Sequence, residues 1–92
     1  MEQEGFEIGR IVKATAGRDR DKLFMIVGII DENYVWIVNG SNRTLTKPKK
    51  KKIKHLKAME ELNWQIREKI LDGDQVFDSE IRKILEALGY NN

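Results

Sequence analysis

Two clusters of cationic side chains are the residues of this sequence best suited to chemistry. The first follows Gly17, where arginine and lysine alternate with aspartate from Arg18 to Lys22. The second is the segment from Arg43 to Lys57, which carries eight lysine and arginine residues and no acidic residue. Arginine offers phosphate a planar fork of donors, and lysine offers a mobile point charge. The sequence therefore predicts a polyanion-binding surface that contacts backbone phosphates rather than reading bases.

The cluster after Gly17 lies between two runs of β-prone residues. The first run covers Ile8 to Thr15 and the second covers Leu23 to Asp31, and their composition predicts two strands. Glycine adopts a backbone φ above zero at little cost, so Gly17 suits the opening of a turn. The segment is predicted to be a β-hairpin that presents a short charged loop.

The next segment supplies a third strand and a basic arm. A short turn at residues 32–33 leads into a strand at Tyr34 to Asn39, and a glycine-containing turn follows it. Arg43 to Lys52 is polar and contains the only proline, Pro48, which predicts an edge strand or an irregular arm. Ile53 to Leu56 is expected to form a last short strand or a single helical turn.

From Ala58 onward the apolar residues recur at helical spacing, which predicts two amphipathic helices. The first stripe, which ends at Gly73, contains Met59, Leu62, Ile66 and Ile70, and the second, between Asp78 as N-cap and Gly89, contains Ile81, Ile84, Leu85 and Leu88. Helices this short are unstable alone in water. Each stripe therefore needs a partner, which is the other helix, the strands or another molecule.

The hairpin resembles the KOW motif, the β–loop–β unit of small SH3-like barrels in ribosomal proteins and transcription elongation factors. Gly17 matches the central glycine of the motif, Val12 and Ala14 match its inward apolar pair, and Arg18 to Lys22 matches its basic loop. The family often has a second glycine at the end of the loop. This sequence has Asp21 there.

The likeness continues through residues 29–35 and through the lysine run that ends at Leu56, so that it covers roughly residues 7–57. These blocks together resemble the fourteen-e class of large-subunit ribosomal proteins of archaea and eukaryotes, and the small stand-alone bacterial KOW proteins. The resemblance implies a mainly β fold with C-terminal α. It places a small SH3-like barrel at residues 1–57 and a helical extension at residues 58–92.

The resemblance also implies function. It describes an RNA-binding protein that contacts the phosphate backbone, with ribosomal RNA or a ribosome-associated particle as the partner. The expected RNA-binding residues lie in the loop, in the arm and beside them, and they are Lys13, Gly17, Arg18, Arg20, Lys22, Arg43, Lys47, Lys49, Lys50, Lys51, Lys52, Lys54, His55 and Lys57.

Composition excludes several classes of protein. A chain of 92 residues forms one small domain, or one with a helical appendage, and this excludes a larger enzyme core. There is no cysteine, and His55 is the only histidine, without the neighbours that a metal or catalytic site needs. We expect no enzymatic activity, no metal, no cofactor and no small-molecule substrate. Without a signal-peptide pattern or an apolar run of about 20 residues, a soluble cytoplasmic protein is expected.

Charge is divided unevenly along the chain. Residues 1–59 contain thirteen lysines and arginines against seven acidic residues, whereas residues 60–92 contain four against eight. The acidic part holds both predicted helices. An alternative function is therefore a protein-interaction adaptor in translation or transcription, which binds ribosomal or other proteins through the helical stripes, with Ile84 or Leu85 as a contact.

Each basic cluster also has an alternative interpretation. The run from Lys49 to Lys52 would serve as a solvated edge that discourages strand-to-strand aggregation. Arg18 and Arg20 would be neutralised within the loop by Asp19 and Asp21. Four consecutive lysines repel one another, however, and phosphates would relieve that repulsion. We therefore favour RNA contact for both clusters.

The third strand carries aromatic residues. Alternation places Tyr34, Trp36 and Val38 on one side. We expect the C-terminal helices to cover this side, with Trp36 and Trp64 as contacts, and the alternative is a stacking platform for an unpaired base. A third function, recognition of peptides or modified lysines, requires an aromatic cage, for which Tyr34, Trp36 and Phe24 are the available barrel aromatics.

Overall fold

A computed structural model describes residues 2–89, which form a five-stranded antiparallel sheet followed by two helices. This confirms the mainly β fold with C-terminal α. The strands, in chain order, are β1 (Arg10–Ala14), β2 (Leu23–Ile29), β3 (Tyr34–Val38), β4 (Lys49–Lys52) and β5 (Leu56–Leu62), and the helices are α1 (Trp64–Asp72) and α2 (Asp78–Ala87). The strand order across the sheet is β4-β3-β2-β1-β5. The predicted hairpin is β1 and β2, and β4 is the predicted edge strand.

The sheet buries apolar side chains on both faces because successive residues of a strand point in opposite directions. We call the first face the inner face, and its buried cluster consists of Val12, Ala14, Phe24, Ile26, Val35, Ile37 and Leu56. We call the second face the helix-side face, and its buried cluster consists of Ile11, Leu23, Met25 and Val38 with Ile66, Ile81 and Leu85 from the helices. The helical stripes thus find their partner within the chain.

The prediction that a helix begins at Ala58 was wrong. Residues 58–62 belong to β5, in which Ala58 lies opposite Val12 and Leu62 lies opposite Arg10 of β1. The helix begins after Asn63, whose side-chain oxygen accepts a hydrogen bond of 2.9 Å from the Ile66 N–H. Pairing with β1 outweighs the helical spacing of the apolar residues. The division of the chain at residue 57 stays a prediction, and β5 crosses that position.

The prediction of Asp78 as the N-cap of α2 was also wrong. The Asp78 carboxylate accepts a 2.8 Å hydrogen bond from the Leu45 N–H, which belongs to the arm. The Glu80 carboxylate instead accepts a 2.9 Å bond from the Phe77 N–H, which precedes the helix. Asp78 therefore ties the start of α2 to the arm rather than capping its own helix.

The segment before β5 forms a single 3-10 turn at Ile53–His55. This is one of the two predicted forms of that segment.

The N-terminal residues are fixed by a pair of charged side chains, since Arg67 of α1 donates to both Glu2 carboxylate oxygens at 2.6 and 2.9 Å. The hydrogen bond from Arg67 lowers the pKa of Glu2 below its ordinary value. The N-terminal residues of the described chain are therefore tied to α1.

Gly40 lets α2 approach the sheet closely. Its φ is +79°, and a Cβ at this position would lie 2.4 Å from the Asp78 carbonyl oxygen and 2.9 Å from the Arg82 nitrogen. Arg82 also donates a 2.8 Å hydrogen bond to the Gly40 carbonyl. The missing side chain is therefore what allows α2 to cover the sheet.

Replacing Gly40 with alanine should destabilise the fold far more than the same change at Gly73. Gly73 also has positive φ, +76°, but a Cβ there would meet nothing within 4 Å. We expect Gly73→Ala to lower the free energy of unfolding by about 1 kcal/mol, and Gly40→Ala to lower it by about 3 kcal/mol because a backbone clash is added. Urea denaturation measures both. Equal losses would show that α2 does not depend on this close approach.

Candidate nucleic-acid interface

The loop between β1 and β2 is a tight turn with two residues in the left-handed region. Gly17 has φ +82° and Asp21 has φ +70°. The Asp21 N–H donates to the Ala14 carbonyl at 2.8 Å, and the Ala14 N–H donates to the Lys22 carbonyl at 3.0 Å, which closes the loop at its base. Aspartate tolerates this backbone region better than most residues. Asp21 therefore adopts a conformation that a glycine would also adopt, and the turn forms without the second glycine.

Asp19 joins the loop to the arm. It is only 5% exposed, although it lies between two exposed arginines. Its carboxylate accepts a 3.1 Å hydrogen bond from Lys49 Nζ, and lies 3.7 Å from Arg43 Nη2 and 3.9 Å from Lys22 Nζ. Three cations from separate parts of the chain therefore surround one buried carboxylate. These contacts hold the loop beside part of the arm, and we call the cations around Asp19, together with Arg18 and Arg20 of the loop, the basic surface.

The charges around Asp19 keep it ionised. Burial by itself would raise the pKa of Asp19, but the hydrogen bond from Lys49 and the charges of Lys49, Arg43 and Lys22 outweigh it, so that the pKa lies below the ordinary 3.8. Burial lowers the pKa of Lys51, and the neighbouring Lys49 and Arg43 lower it further, against the opposing effect of Asp19. For Asp19 the neighbouring cations outweigh burial, whereas for Lys51 burial is the larger cause of the lowered pKa and the neighbouring cations add to it.

Arg18 and Arg20 are both exposed. Within residues 2–89, neither forms an ion pair with Asp19 or Asp21 shorter than 4.0 Å. The alternative of a loop that neutralises its own arginines is therefore not what the fold adopts. Both guanidinium groups remain available at the tip of the hairpin.

The four lysines of β4 divide between the two faces of the sheet. Lys49 lies opposite Ile37 and Lys51 opposite Val35, on the inner face, and Lys51 Nζ donates to the Ala16 carbonyl at 3.4 Å. Lys50 lies opposite Trp36 and Lys52 opposite Tyr34, on the helix-side face. Lys49 and Lys51 thus hold the loop in place, while Lys50 and Lys52 point away from it.

The remaining predicted residues lie around this framework. Lys13 of β1 lies directly opposite Lys57 of β5, and like charges in this arrangement repel each other. The Thr15 N–H donates to the His55 carbonyl at 2.9 Å, which brings the 3-10 turn against the base of the loop. Lys47 and Lys54 are exposed, and no side-chain hydrogen bond or ion pair joins either of them to the loop within residues 2–89.

The expectation that the helices cover Trp36 was wrong. Val38 is buried beneath the helices, but Trp36 is 37% exposed and Trp64 is 63% exposed. Trp36 is the middle residue of β3, four positions before Gly40, and it is Gly40 that contacts α2. Phe24 is fully buried in the inner cluster. An aromatic cage that includes Phe24 is therefore not available.

The helical stripes proposed as protein-binding surfaces are largely occupied. Leu85 is 2% exposed and Ile81 is fully buried against the sheet, and Ile84 packs beside them. A partner protein cannot reach Leu85 without displacing α2. Among residues 2–89, the large apolar side chains that remain exposed on or beside the helices are Trp64, Leu71, Phe77 and Leu88.

Two structural residues of the site were missed in the sequence. Asn39 is 1% exposed, and its side-chain oxygen accepts hydrogen bonds from the Ser41 and Arg43 N–H groups at 2.9 and 3.0 Å. It shapes the turn that delivers Arg43 to Asp19. The Asn39-Gly40 pair is a known turn signal and would have identified it. For Asp19, no local signal distinguishes a buried carboxylate from a solvated one.

The described residues 2–89 contain no group of three or more histidine or acidic side chains arranged to hold a metal ion. Among the same residues, no helix has the length and apolar content needed to cross a bilayer.

Removing the Asp19 charge should destabilise the protein in a pH-dependent way. Because the pKa of Asp19 is lowered in the folded state, its ionised form adds stability above about pH 4, and this is lost as pH falls through the folded pKa. Asp19→Asn should lower the free energy of unfolding by about 1–3 kcal/mol at neutral pH, and the difference from the wild type should shrink in acid. Chemical denaturation across pH measures this.

Asp21→Asn is the matched control, since it removes the same charge from the same loop at an exposed position and asparagine tolerates positive φ. It should change stability by less than about 0.5 kcal/mol. Equal effects of the two substitutions would contradict the special role of Asp19.

Comparison with known proteins provides independent evidence. No family model matches the chain. The chain is 46% identical over 50 residues to the large ribosomal subunit protein eL14 of Desulfurococcus amylolyticus, covering 54% of this chain and 52% of the relative. It is 38% identical over 56 residues to eL14 of Staphylothermus marinus, covering 61% and 58%. These two matches span a little over half the length of each relative.

A longer match extends into the helical part. The chain is 31% identical over 83 residues to eL14 of Hyperthermus butylicus, and the match covers 90% of this chain and 78% of that protein. It therefore includes the hairpin, the arm and most of the helical part. On this evidence the chain belongs to the eL14 family of large ribosomal subunit proteins.

Proposed function

We propose that this protein binds ribosomal RNA as a non-catalytic component of a large ribosomal subunit, and that the basic surface contacts the phosphate backbone. The relatives carry the name of a large ribosomal subunit protein, which supports the type of particle. The observation that carries the proposal is the arrangement around Asp19, because it holds the loop and the arm side by side.

The electrostatics of this arrangement favour a polyanion. Lys22, Arg43, Lys49 and Lys51 gather near a single buried carboxylate, which leaves an excess of positive charge. Arg18 and Arg20 add two exposed guanidinium groups on the same loop. A phosphate at this surface would lower the repulsion among the cations and release counterions from the RNA. The fixed positions of the side chains reduce the ordering cost of binding.

The division of the lysine run refines the roles within the proposal. Lys50 and Lys52 contact RNA directly, whereas Lys49 and Lys51 act mainly as positioning residues because they already hold the loop through Asp19 and the Ala16 carbonyl. Lys13 and Lys57 lie opposite each other and repel each other, and a phosphate bound between them would relieve that repulsion. This supports their predicted contacts with RNA. Lys47, Lys54 and His55 complete the proposed RNA-facing set at its periphery.

The adaptor alternative is less well supported. Its predicted contacts on α2, Ile84 and Leu85, pack against the sheet, so a protein partner would need other residues. Binding to RNA needs no rearrangement, since the loop arginines are already exposed.

Salt dependence tests the proposal. Affinity for purified large-subunit ribosomal RNA should fall with salt, and each lost phosphate contact should flatten the log-log slope by about 0.7–0.9 unit. The double variants Arg18→Ala/Arg20→Ala and Lys50→Ala/Lys52→Ala should each flatten the slope by about 1.5 units. Filter binding or fluorescence anisotropy over a salt series measures this.

The control is Lys83→Ala, which removes an exposed cation of α2 and should leave the slope unchanged. The variant Lys49→Ala/Lys51→Ala should instead lower the free energy of unfolding, since it removes the contacts with Asp19 and Ala16. An unchanged slope in both RNA-facing variants would remove the basic surface from the interface and overturn the proposal.

A further inference from the structure

Trp36 occupies a position that a glycine makes possible. Gly28 of β2 lies directly opposite Trp36 of β3, and a Cβ at Gly28 would lie 3.0 Å from Trp36 Cδ1 and 3.7 Å from Cγ. The φ of Gly28 is not in the left-handed region, so the backbone does not require glycine there. Glycine within a strand costs about 0.5–1 kcal/mol relative to alanine. The benefit is space for the indole, which packs on the sheet while 37% of the residue stays exposed.

A β-bulge in β2 supports this arrangement. The register shifts between Ile26 and Gly28, so that one extra residue, Val27, enters the strand. Val27 packs against the helix-side cluster, and the next residue, Gly28, meets Trp36 on the same side of the sheet. Because of the bulge, two consecutive residues face the same side of the sheet. Val27 belongs to the helix-side core, and Gly28 leaves the space that Trp36 occupies.

Two lysines lie on the strand next to this exposed aromatic residue, and both ammonium groups approach the ring of Tyr34. Lys50 lies opposite Trp36 on β4, and its Nζ is 4.6 Å from the centroid of the Tyr34 ring, while Lys52 Nζ is 5.7 Å from the same centroid. Within residues 2–89, neither lysine has an acidic side chain within 4.0 Å. Two aromatic rings and two ammonium groups thus lie side by side on the helix-side face. We call this group the aromatic strip.

We propose that the aromatic strip is a second RNA contact, at which Trp36 stacks against an unpaired base while Lys50 and Lys52 bind the adjoining phosphates. This inference rests on the proposed function. It adds a class of ligand that the basic surface does not address, namely a nucleotide outside a helix. Every base has a π-face and a neighbouring phosphate, and the strip presents a partner for each.

The charge of the strip favours RNA over a protein partner. A protein surface that buries Trp36 of β3 would also have to neutralise or desolvate Lys50 and Lys52 on the adjacent strand β4. A nucleotide supplies its own anion at the required place. The strip and the basic surface share β4, whose Lys49 and Lys51 reach the loop on the other face of the sheet.

Removal of the Trp36 ring tests the inference. The probes are two fluorescently labelled RNA duplexes, identical except that one carries a single bulged adenosine. Wild-type protein should prefer the bulged duplex, and Trp36→Ala should weaken binding to it by about 5- to 100-fold with little change in the salt slope. Trp64→Ala is the matched control, since it removes the other, more exposed tryptophan, and it should leave the preference intact.

Comparison with Arg18→Ala/Arg20→Ala distinguishes the two proposals. That variant should weaken binding to both duplexes alike. If it does so while the wild type shows no preference and Trp36→Ala no effect, the stacking inference is overturned and the proposed function stands. If wild-type protein binds neither duplex nor ribosomal RNA, both proposals fail.

Fluorescence provides a second measurement that leaves Trp36 in place. In the variant Trp64→Phe, Trp36 is the only tryptophan. Titration with the bulged duplex should then quench the emission strongly, whereas the fully paired duplex should quench it weakly. Equal quenching by the two duplexes would overturn the inference, even if Trp36→Ala failed to fold. Gly28→Ala, which crowds the indole, should reduce the preference for the bulged duplex without changing the effect of salt.

Discussion

The ion cluster around Asp19 is the interaction on which the arrangement of the site depends. Without it, the loop and the arm would be two positively charged segments, far apart in sequence, that repel each other. One buried carboxylate reverses this, because it attracts Lys22 from its own loop, and Arg43 and Lys49 from the arm. A buried charge costs free energy unless it is paired, so the carboxylate must keep these partners. The geometry of the cationic surface is therefore fixed by an anion within it.

The alternation of side chains along a strand gives the lysine run two roles. Each strand residue points to the face opposite its neighbours, so four identical side chains become two pairs in different surroundings. Lys49 and Lys51 are directed to the inner face and hold the loop, and Lys50 and Lys52 accompany the aromatic residues on the other face. A slip of one residue in the register of β4 would exchange the two pairs. Edge pairing thus decides which lysines are available to a ligand.

Much of the fold was predictable because it is determined locally. Gly17 predicted the hairpin, and the spacing of Ile81 and Leu85 predicted the second helix. The first helix was placed too early because the spacing of Met59 and Leu62 fits a helix, and only pairing with β1 shows that they lie in a strand. The spacing of these residues is a local signal, whereas their partner β1 lies far away in the sequence.

The same limitation applies to the site. The composition of the loop and the arm was sufficient to predict a basic surface, since the charges are visible in the sequence. The role of Asp19 could not be predicted from composition. Its partners Arg43 and Lys49 are brought to it only by the turn that Asn39 shapes and by the pairing of β4 with β3. The exposure of Trp36 depends likewise on how far α2 extends over the sheet from its close approach at Gly40. The ion pairs of Asp19 and the exposure of Trp36 both depend on contacts between residues that are distant in sequence.

This organisation couples folding to ligand binding. In the free protein, Lys51 is partly buried next to Lys49 and Arg43, and its lowered pKa shows that its charged form is disfavoured there. Burial is the larger cause, and repulsion from Lys49 and Arg43, which Asp19 offsets only in part, adds to it. A phosphate group at this surface would favour the charged form of Lys51 and reduce that repulsion. Since a ligand that binds only the folded state stabilises it, RNA would stabilise the arrangement of cations that recognises it.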